Sequence, residues 1–135
     1  MALKINLKPH EKMIIGGAVI KNGDKTGSLF IENNVPILRE KDIMREEDAK
    51  TFCSGIYFVI QLMYIDNKNI LEYHNTYWKL VRDLVEAVPR TVGIIDEISQ
   101  HILNEDYYQA LKLSKKLLEF EKEALSHVHN STGSI

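Results

Sequence analysis

The sequence predicts an α+β chain. A small antiparallel β head of four or five strands occupies residues 1–45, a bundle of about four helices occupies 46–126, and a loose tail occupies 127–135. Three observations carry this prediction. Apolar residues alternate with period two through the first part of the chain, Gly, Asn and Pro interrupt them at short intervals, and after Asp42 the apolar period becomes that of a helix.

The alternation from Ala2 to Leu7 sets Leu3, Ile5 and Leu7 on one side of a strand and Lys4, Asn6 and Lys8 on the other. Pro9 stops it. Lys12 to Ile15 begins a second strand, which Gly16-Gly17 is expected to bend or bulge before Ala18-Val19-Ile20 continues it. Asn22 to Gly27 reads as a hairpin loop, because its residues tolerate positive φ. Ser28 to Glu32 forms the next strand, Asn33-Asn34 the next turn, and Val35 to Arg39 the last strand, with Pro36 at its start or on a sheet edge.

In the helical part, Phe52, Ile56, Val59, Ile60 and Met63 recur at helical spacing, as do Leu71, Trp78, Val81 and Val85 before Pro89 closes the second helix. Thr91 is placed to cap a third, striped by Ile94, Ile95, Ile98 and Ile102, and Asn104 to Asp106 mark the next break. A fourth runs from about Tyr107 to Ser126 with Ala110, Leu111, Leu117, Leu118 and Leu125 inward. Short connections favour antiparallel neighbours.

Composition narrows the function classes. With 44% hydrophobic and 27% charged residues, the chain is ordinarily globular rather than disordered or fibrous. No apolar run reaches the roughly 18–20 residues of a membrane span, and the N-terminus lacks a signal-peptide pattern, so no membrane association is expected and a cytoplasmic location is. The lone Cys53 cannot form an internal disulfide. Residues 1–45 hold eight Lys/Arg against five Asp/Glu, and the remainder nine against fourteen, so a mildly basic head precedes an acidic body. That asymmetry permits contact with an anionic polymer through the head.

Little points to catalysis. His127 and His129 offer two ligands at best, which is too few for a metal site, and His74 and His101 each stand alone among apolar neighbours. Cys53 has no flanking base or cation, and Gly16-Gly17 is followed by strand rather than by the helix a phosphate loop needs. Without a nucleophile, base and orienter, an enzyme is the least supported class, and no catalytic residue, metal or cofactor is assigned.

Two features carry more weight. The first is the polar face of the head, with Lys4, Asn6 and Lys8 on one strand and Arg39 and Lys41 at the end of another. Lysines neutralise phosphates, while Arg and Asn can bond the edges of unstacked bases; equally, edge strands carry lysine to prevent aggregation. The second is the aromatic content of the bundle, Tyr57, Phe58, Tyr64, Tyr73, Tyr77, Trp78, Tyr107 and Tyr108, whose partly exposed members suit a protein-binding groove.

The strings ALKINLKP, IIGGAVIKNGDK, PILREKDI, IYFVIQLMYID and ILNEDYYQALKLSKKLLEFE span nearly the whole chain and resemble the flagellar biosynthesis repressor FlbT family. The resemblance implies a non-catalytic post-transcriptional regulator acting on the untranslated leader of flagellin messenger RNA, repressing expression in some members and promoting it in others. The head is also similar to the carbon storage regulator CsrA, an RNA-binding dimer of five-stranded protomers with interleaved strands. KPHEKMIIGG stands where that family has a basic pair followed by Val-Gly-Glu-Thr-Leu-Met-Ile-Gly-Asp, and NNVPILREKDI resembles its Asn-Ala-Pro ending. On that alignment Arg39 matches an RNA-contacting arginine and Lys8 the second of the basic pair. The first basic position is Leu7 here, which the strand alternation turns inward, so one RNA-facing cation is missing.

The expected RNA-binding set is therefore Lys4, Asn6, Lys8, Lys12, Arg39 and Lys41, with Lys25 adding nonspecific attraction, in a protein expected to form a homodimer. The expected partner-binding set is Tyr64, Tyr77, Tyr107 and Tyr108. The alternative is an adaptor whose bundle, loosely similar to flagellin export chaperones, holds flagellin or another flagellar regulator and acts on the message indirectly.

Overall fold

A computed structural model describes the backbone of residues 2–133 and the side chains of residues 2–125. It divides into two compact units, Met1–Ile43 and Met44–Ile135.

The first unit holds β1 (Leu3–Leu7), β2 (Lys12–Ile15), β3 (Ala18–Lys21), β4 (Gly27–Ile31) and β5 (Ile37–Arg39). They form two antiparallel sheets, β1-β4 and β3-β2-β5. The β1-β4 sheet turns one apolar face inward, whereas β3-β2-β5 carries buried residues on both faces, Met13 on one and the opposed pair Ile14 and Leu38 on the other. Ile5, Leu7 and Met13 are buried, and Ile15, Leu29, Ile31 and Ile37 pack against them. Ile5 stands opposite Leu29, and Ile15 opposite Ile37, so the period-two pattern places these side chains on facing surfaces. Leu3, expected inward at the start of β1, is 52% exposed because it lies at the end of the strand.

The connections differ from those expected. Gly16 and Gly17 do not bulge a continuous strand; they are the two central residues of a hairpin that pairs Ile15 with Ala18. Their φ angles of 55° and 87° are both positive, as the type I′ hairpin turn demands, and glycine meets that demand without steric cost. The stretch Asn22 to Gly27 is not a hairpin loop, because β3 and β4 lie in different sheets. Asn22 organises the crossing. Its side-chain amide donates to the Lys8 carbonyl at 2.8 Å and the Lys25 carbonyl at 2.9 Å, and its backbone N–H donates to Glu11 O at 2.8 Å.

The second unit holds α1 (Phe52–Ile65), α2 (Ile70–Ala87), α3 (Val92–Leu103) and α4 (Tyr107–Gly133). α1 packs on α2 and α4, and α3 packs on α4. Ile56, Ile60, Met63, Tyr77, Ile98, Ile102 and Leu117 are fully enclosed. Burial of each aliphatic one contributes roughly 1.5–3 kcal/mol relative to exposure. Polar groups inside are paired. Gln61 clasps Met44 through both its amide atoms, at 2.7 and 2.9 Å, and among the described residues no buried side-chain polar atom lacks a partner.

Helix ends follow local chemistry. Thr51 and Ser54 form a reciprocal capping box at the start of α1, and the Gln109 amide donates to Asp106 Oδ1 at the start of α4. Glu105, with φ 59°, makes the break between α3 and α4. Thr91 does not cap α3. Its hydroxyl donates to the Val88 carbonyl at 2.7 Å and closes the short 3₁₀ turn Pro89–Thr91.

The buried side of α2 is Tyr77, Val81 and Leu84; Val81 is inward as expected, Tyr77 and Leu84 take the places expected for Trp78 and Val85, and Leu71 is 79% and Trp78 38% exposed. Phe52 and Leu125 are also exposed rather than core. The backbone of α4 continues past the end expected near Ser126 to Gly133, while the side chains of the expected tail, His127 and His129 included, lie outside the described residues.

Since a Cβ on Gly16 would meet only Val35 atoms at 3.8 Å, ordinary contact, the cost of substitution there is backbone strain alone. Gly16→Ala should lower the unfolding free energy of the head by about 1–2 kcal/mol, measured by urea titration. An unchanged midpoint would contradict the hairpin geometry.

Candidate nucleic-acid interface

The site begins with a tight turn. Pro9 fixes one φ, His10 adopts φ 64°, and the Glu11 N–H donates to the Lys8 carbonyl at 3.1 Å, the pattern of a type II turn. The turn brings the Glu11 carboxylate back onto its own start, where Oε1 accepts from the Lys8 N–H at 2.9 Å. β5 then delivers Arg39 from the other sheet. Its Nη2 donates to the Asn6 carbonyl at 2.7 Å and lies 3.1 Å from Glu11 Oε2.

The Lys8 amide first, and Arg39 second, hold the Glu11 carboxyl below its usual range. Around this pair lies an open cavity of about 450 Å³ lined by Lys8, Pro9, Glu11, Arg39, Glu40 and Lys41. Three residues of the expected RNA-binding set, Lys8, Arg39 and Lys41, therefore meet at one place. Two carboxylates, Glu11 and Glu40, meet them there, and neither belongs to the expected set.

Lys4 and Asn6 stand on the outward face of β1 and reach across to β4. Lys4 pairs with Phe30 and Asn6 with Ser28, whose hydroxyl donates to Asn6 Oδ1 at 3.0 Å. Lys12 lies on β2, directly opposite Lys21 of β3, and both are exposed. Like charges facing each other across a ladder are destabilising, and an anion between them would relieve that repulsion. Lys21, Phe30 and Glu11 were not singled out from the sequence. Strand alternation carried the signal for Phe30, since it points away from Leu29 and Ile31.

The expected partner-binding tyrosines separate. Tyr77 is a core residue, not a rim residue: it is fully buried, its hydroxyl is 2.8 Å from Ser99 Oγ, and burial pushes its pKa up to about 12. Tyr64 and Tyr108 rest ring against ring at 5.6 Å, and the Tyr107 hydroxyl is 3.0 Å from His74 Nε2. One apolar cavity of the bundle, about 420 Å³, is lined by Phe52, Cys53, Leu84, Val88, Phe120 and Leu125 among others, and a second, about 470 Å³, by Phe52, Phe58, Val59, Leu62 and Leu80 among others; none of these four tyrosines lines either. Cys53 at the first is only 2% exposed, and burial first, then the nearby Glu121 carboxylate, pushes its thiol up to about 12. Among the described residues, no group of three or more His, Cys, Asp or Glu could hold a metal ion, and no helix is long and apolar enough to cross a membrane.

The family model described as flagellar protein FlbT matches residues 3–125. The chain belongs to the FlbT family. It is 48% identical over 124 residues to "Probable flagellum biosynthesis repressor protein FlbT 1" of Bradyrhizobium diazoefficiens, covering 91% of this chain and 84% of that protein. It is 38% identical over 136 residues to "Flagellum biosynthesis repressor protein FlbT" of Caulobacter vibrioides, covering 99% and 96%. A Rhodopseudomonas palustris FlbT is 40% identical over 126 residues, covering 93% and 99%. No solved structure matches. The head site of this FlbT-family chain lies within the matched span, as do α1, α2, α3 and the larger part of α4.

Because the folded state depresses the Glu11 pKa, its contribution to stability is present above the unfolded carboxylate value and is lost as pH falls through the folded value. The unfolding midpoint should therefore drop more steeply below about pH 4.3 in the parent than in Glu11→Gln, which has no proton to take up. Parallel curves would show that Glu11 is uncoupled from folding. Cys53 should react with a disulfide reagent only at the rate of unfolding, with little acceleration between pH 7 and 9; a rise like that of a free thiol would show the site to be open.

Proposed function

We propose that this protein controls flagellin expression after transcription, holding the untranslated leader of flagellin messenger RNA with its β head and so occluding translation or exposing the message to nucleases. The observation that carries the reading is the convergence of Lys8, Arg39 and Lys41 on one cavity. Lys4 and Asn6 extend the polar surface along β1, and Lys12 with Lys21 adds a facing pair of like charges. The names of the curated relatives, flagellum biosynthesis repressors, support it. The protein acts in the cytoplasm and without catalysis, and two copies associate.

Within the site the roles divide by chemistry. Lys4, Lys8, Lys12 and Lys41 are exposed ammonium groups that neutralise phosphates, with Lys25 adding attraction of the same kind. Arg39 is already engaged by Asn6 O and Glu11, so it offers its remaining donors from a fixed plane.

The second reading is the adaptor. It is favoured by the bundle cavity with Phe52 and Leu125 exposed at its wall, which a helix of flagellin or of another regulator could cover.

The test is binding of flagellin leader RNA and a scrambled control across a salt series. Lys8→Ala and Lys41→Ala should each lower the salt slope by about 0.7. Arg39→Lys, which keeps the charge and loses the fork, should weaken the leader more than the scrambled RNA, whereas Lys25→Ala should weaken both alike. Equal binding of both RNAs with one shared slope would sink direct readout, and stable binding of a flagellin fragment would then carry the adaptor.

A further inference from the structure

Phe30 has no role in the core of the head. It is 64% exposed, while its neighbours Leu29 and Ile31 turn inward. Its cross-strand partner is Lys4, whose ammonium lies 5.9 Å from the ring centroid. One pair further along the same outward face stand Asn6 and Ser28, joined through their side chains. An aromatic plane, a cation and a polar pair are therefore fixed side by side on two hydrogen-bonded strands.

We infer that Phe30 is a stacking platform for one unpaired base of a single-stranded RNA, with Lys4 meeting the adjoining phosphate and Asn6 and Ser28 bonding the base edge. This rests on the RNA-binding reading of the head and deepens it by naming the ligand as a splayed-out nucleotide. The spacing suits it. Cross-strand neighbours lie about 5 Å apart and successive pairs on one face about 7 Å, which is the scale of a nucleotide's base, sugar and phosphate.

Energetics also favour exchange of partners. An exposed ammonium near 6 Å from a ring is at the outer limit of the cation–π contact and contributes less than a stacked base, so Lys4 can leave the ring face for the phosphate. A lone exposed aromatic on a strand is common and by itself marks nothing. Here the charge complementarity decides: the neighbours of Phe30 on that face are a cation and hydrogen-bonding groups rather than apolar residues, which suits an anionic ligand with a flat apolar plane better than an apolar protein surface.

The ligand class follows from geometry. A base within a duplex keeps both faces stacked and cannot lie on Phe30, so duplex RNA would contact only the lysines.

The experiment uses the full chain with a flagellin-leader oligoribonucleotide, the same strand annealed to its complement, and the same strand carrying abasic sites. Phe30→Leu lies outside the core and should leave the far-ultraviolet circular dichroism unchanged while weakening the single strand about 5- to 150-fold, with no effect on the duplex or the abasic strand. Phe30→Trp in a Trp78→Phe background should restore affinity, and its emission should be quenched by the single strand and not by the duplex. If the parent binds the leader and Phe30→Leu binds it equally well, the platform is overturned and the RNA-binding head stands. If Phe30→Leu instead loses a flagellin fragment with RNA binding intact, Phe30 belongs to a protein contact and the inference is wrong. If the parent binds no RNA, the reading of the head and the platform fall together.

Discussion

The head depends on one guanidinium. Five strands in so short a segment leave a two-stranded and a three-stranded sheet, neither large enough to be stable by its own ladder. Their inner faces bury only a few aliphatic side chains, so the polar link between sheets matters more than it would in a larger domain. Arg39 supplies that link by donating to the Asn6 carbonyl on β1 while it pairs with Glu11 at the entry to β2. The Pro9-His10 turn and the Asn22 amide then hold the same corner from the chain side.

The same link sets the chemistry of the surface. An arginine half-exposed and already neutralised by a carboxylate is a positioned donor rather than a free charge, and the attraction for phosphate passes to the lysines around it. The resemblance to CsrA had placed an RNA-contacting arginine at this position; the geometry adds Glu11, which any anionic ligand must either displace or accommodate. On the proposed reading of the head, affinity and register would fall to different residues, lysines for the first, and Asn6, Ser28 and the Arg39 plane for the second.

The helical unit is built on different terms. Its core is mainly aliphatic with Tyr57 and Tyr77 enclosed in it, and the pairing of the Tyr77 hydroxyl with Ser99 lets α2 bury a large aromatic side chain and turn Trp78 outward. Cys53 is sealed into the same unit beside Glu121, which keeps it a thiol. Exposed apolar groups remain at Phe52, Leu71 and Leu125, on a unit whose sequence is net acidic.

Period and punctuation made the architecture legible. The alternation of Ile5 and Leu7 with Asn6 and Lys8, the change of period after Asp42, and the breaks at Pro89 and at Asn104 to Asp106 are local properties of the chain, so a head of four or five strands, a bundle of about four helices and the outward lysines could be read without coordinates. What local pattern could not decide was pairing. Two glycines permit a bulge or a type I′ turn, and the pairing of Ile15 with Ala18 makes it the turn. Tyr77 and Trp78 differ by one step around α2, and the choice between them was made by Ser99, 22 residues away. Glu11 and Arg39 lie 28 residues apart and meet only once β5 pairs with β2. Sequence by itself determined which residues are strand, helix, inward or charged, since those depend on neighbours along the chain. Tertiary structure decided which of those charges are already spoken for, because that depends on partners the chain brings together only when folded.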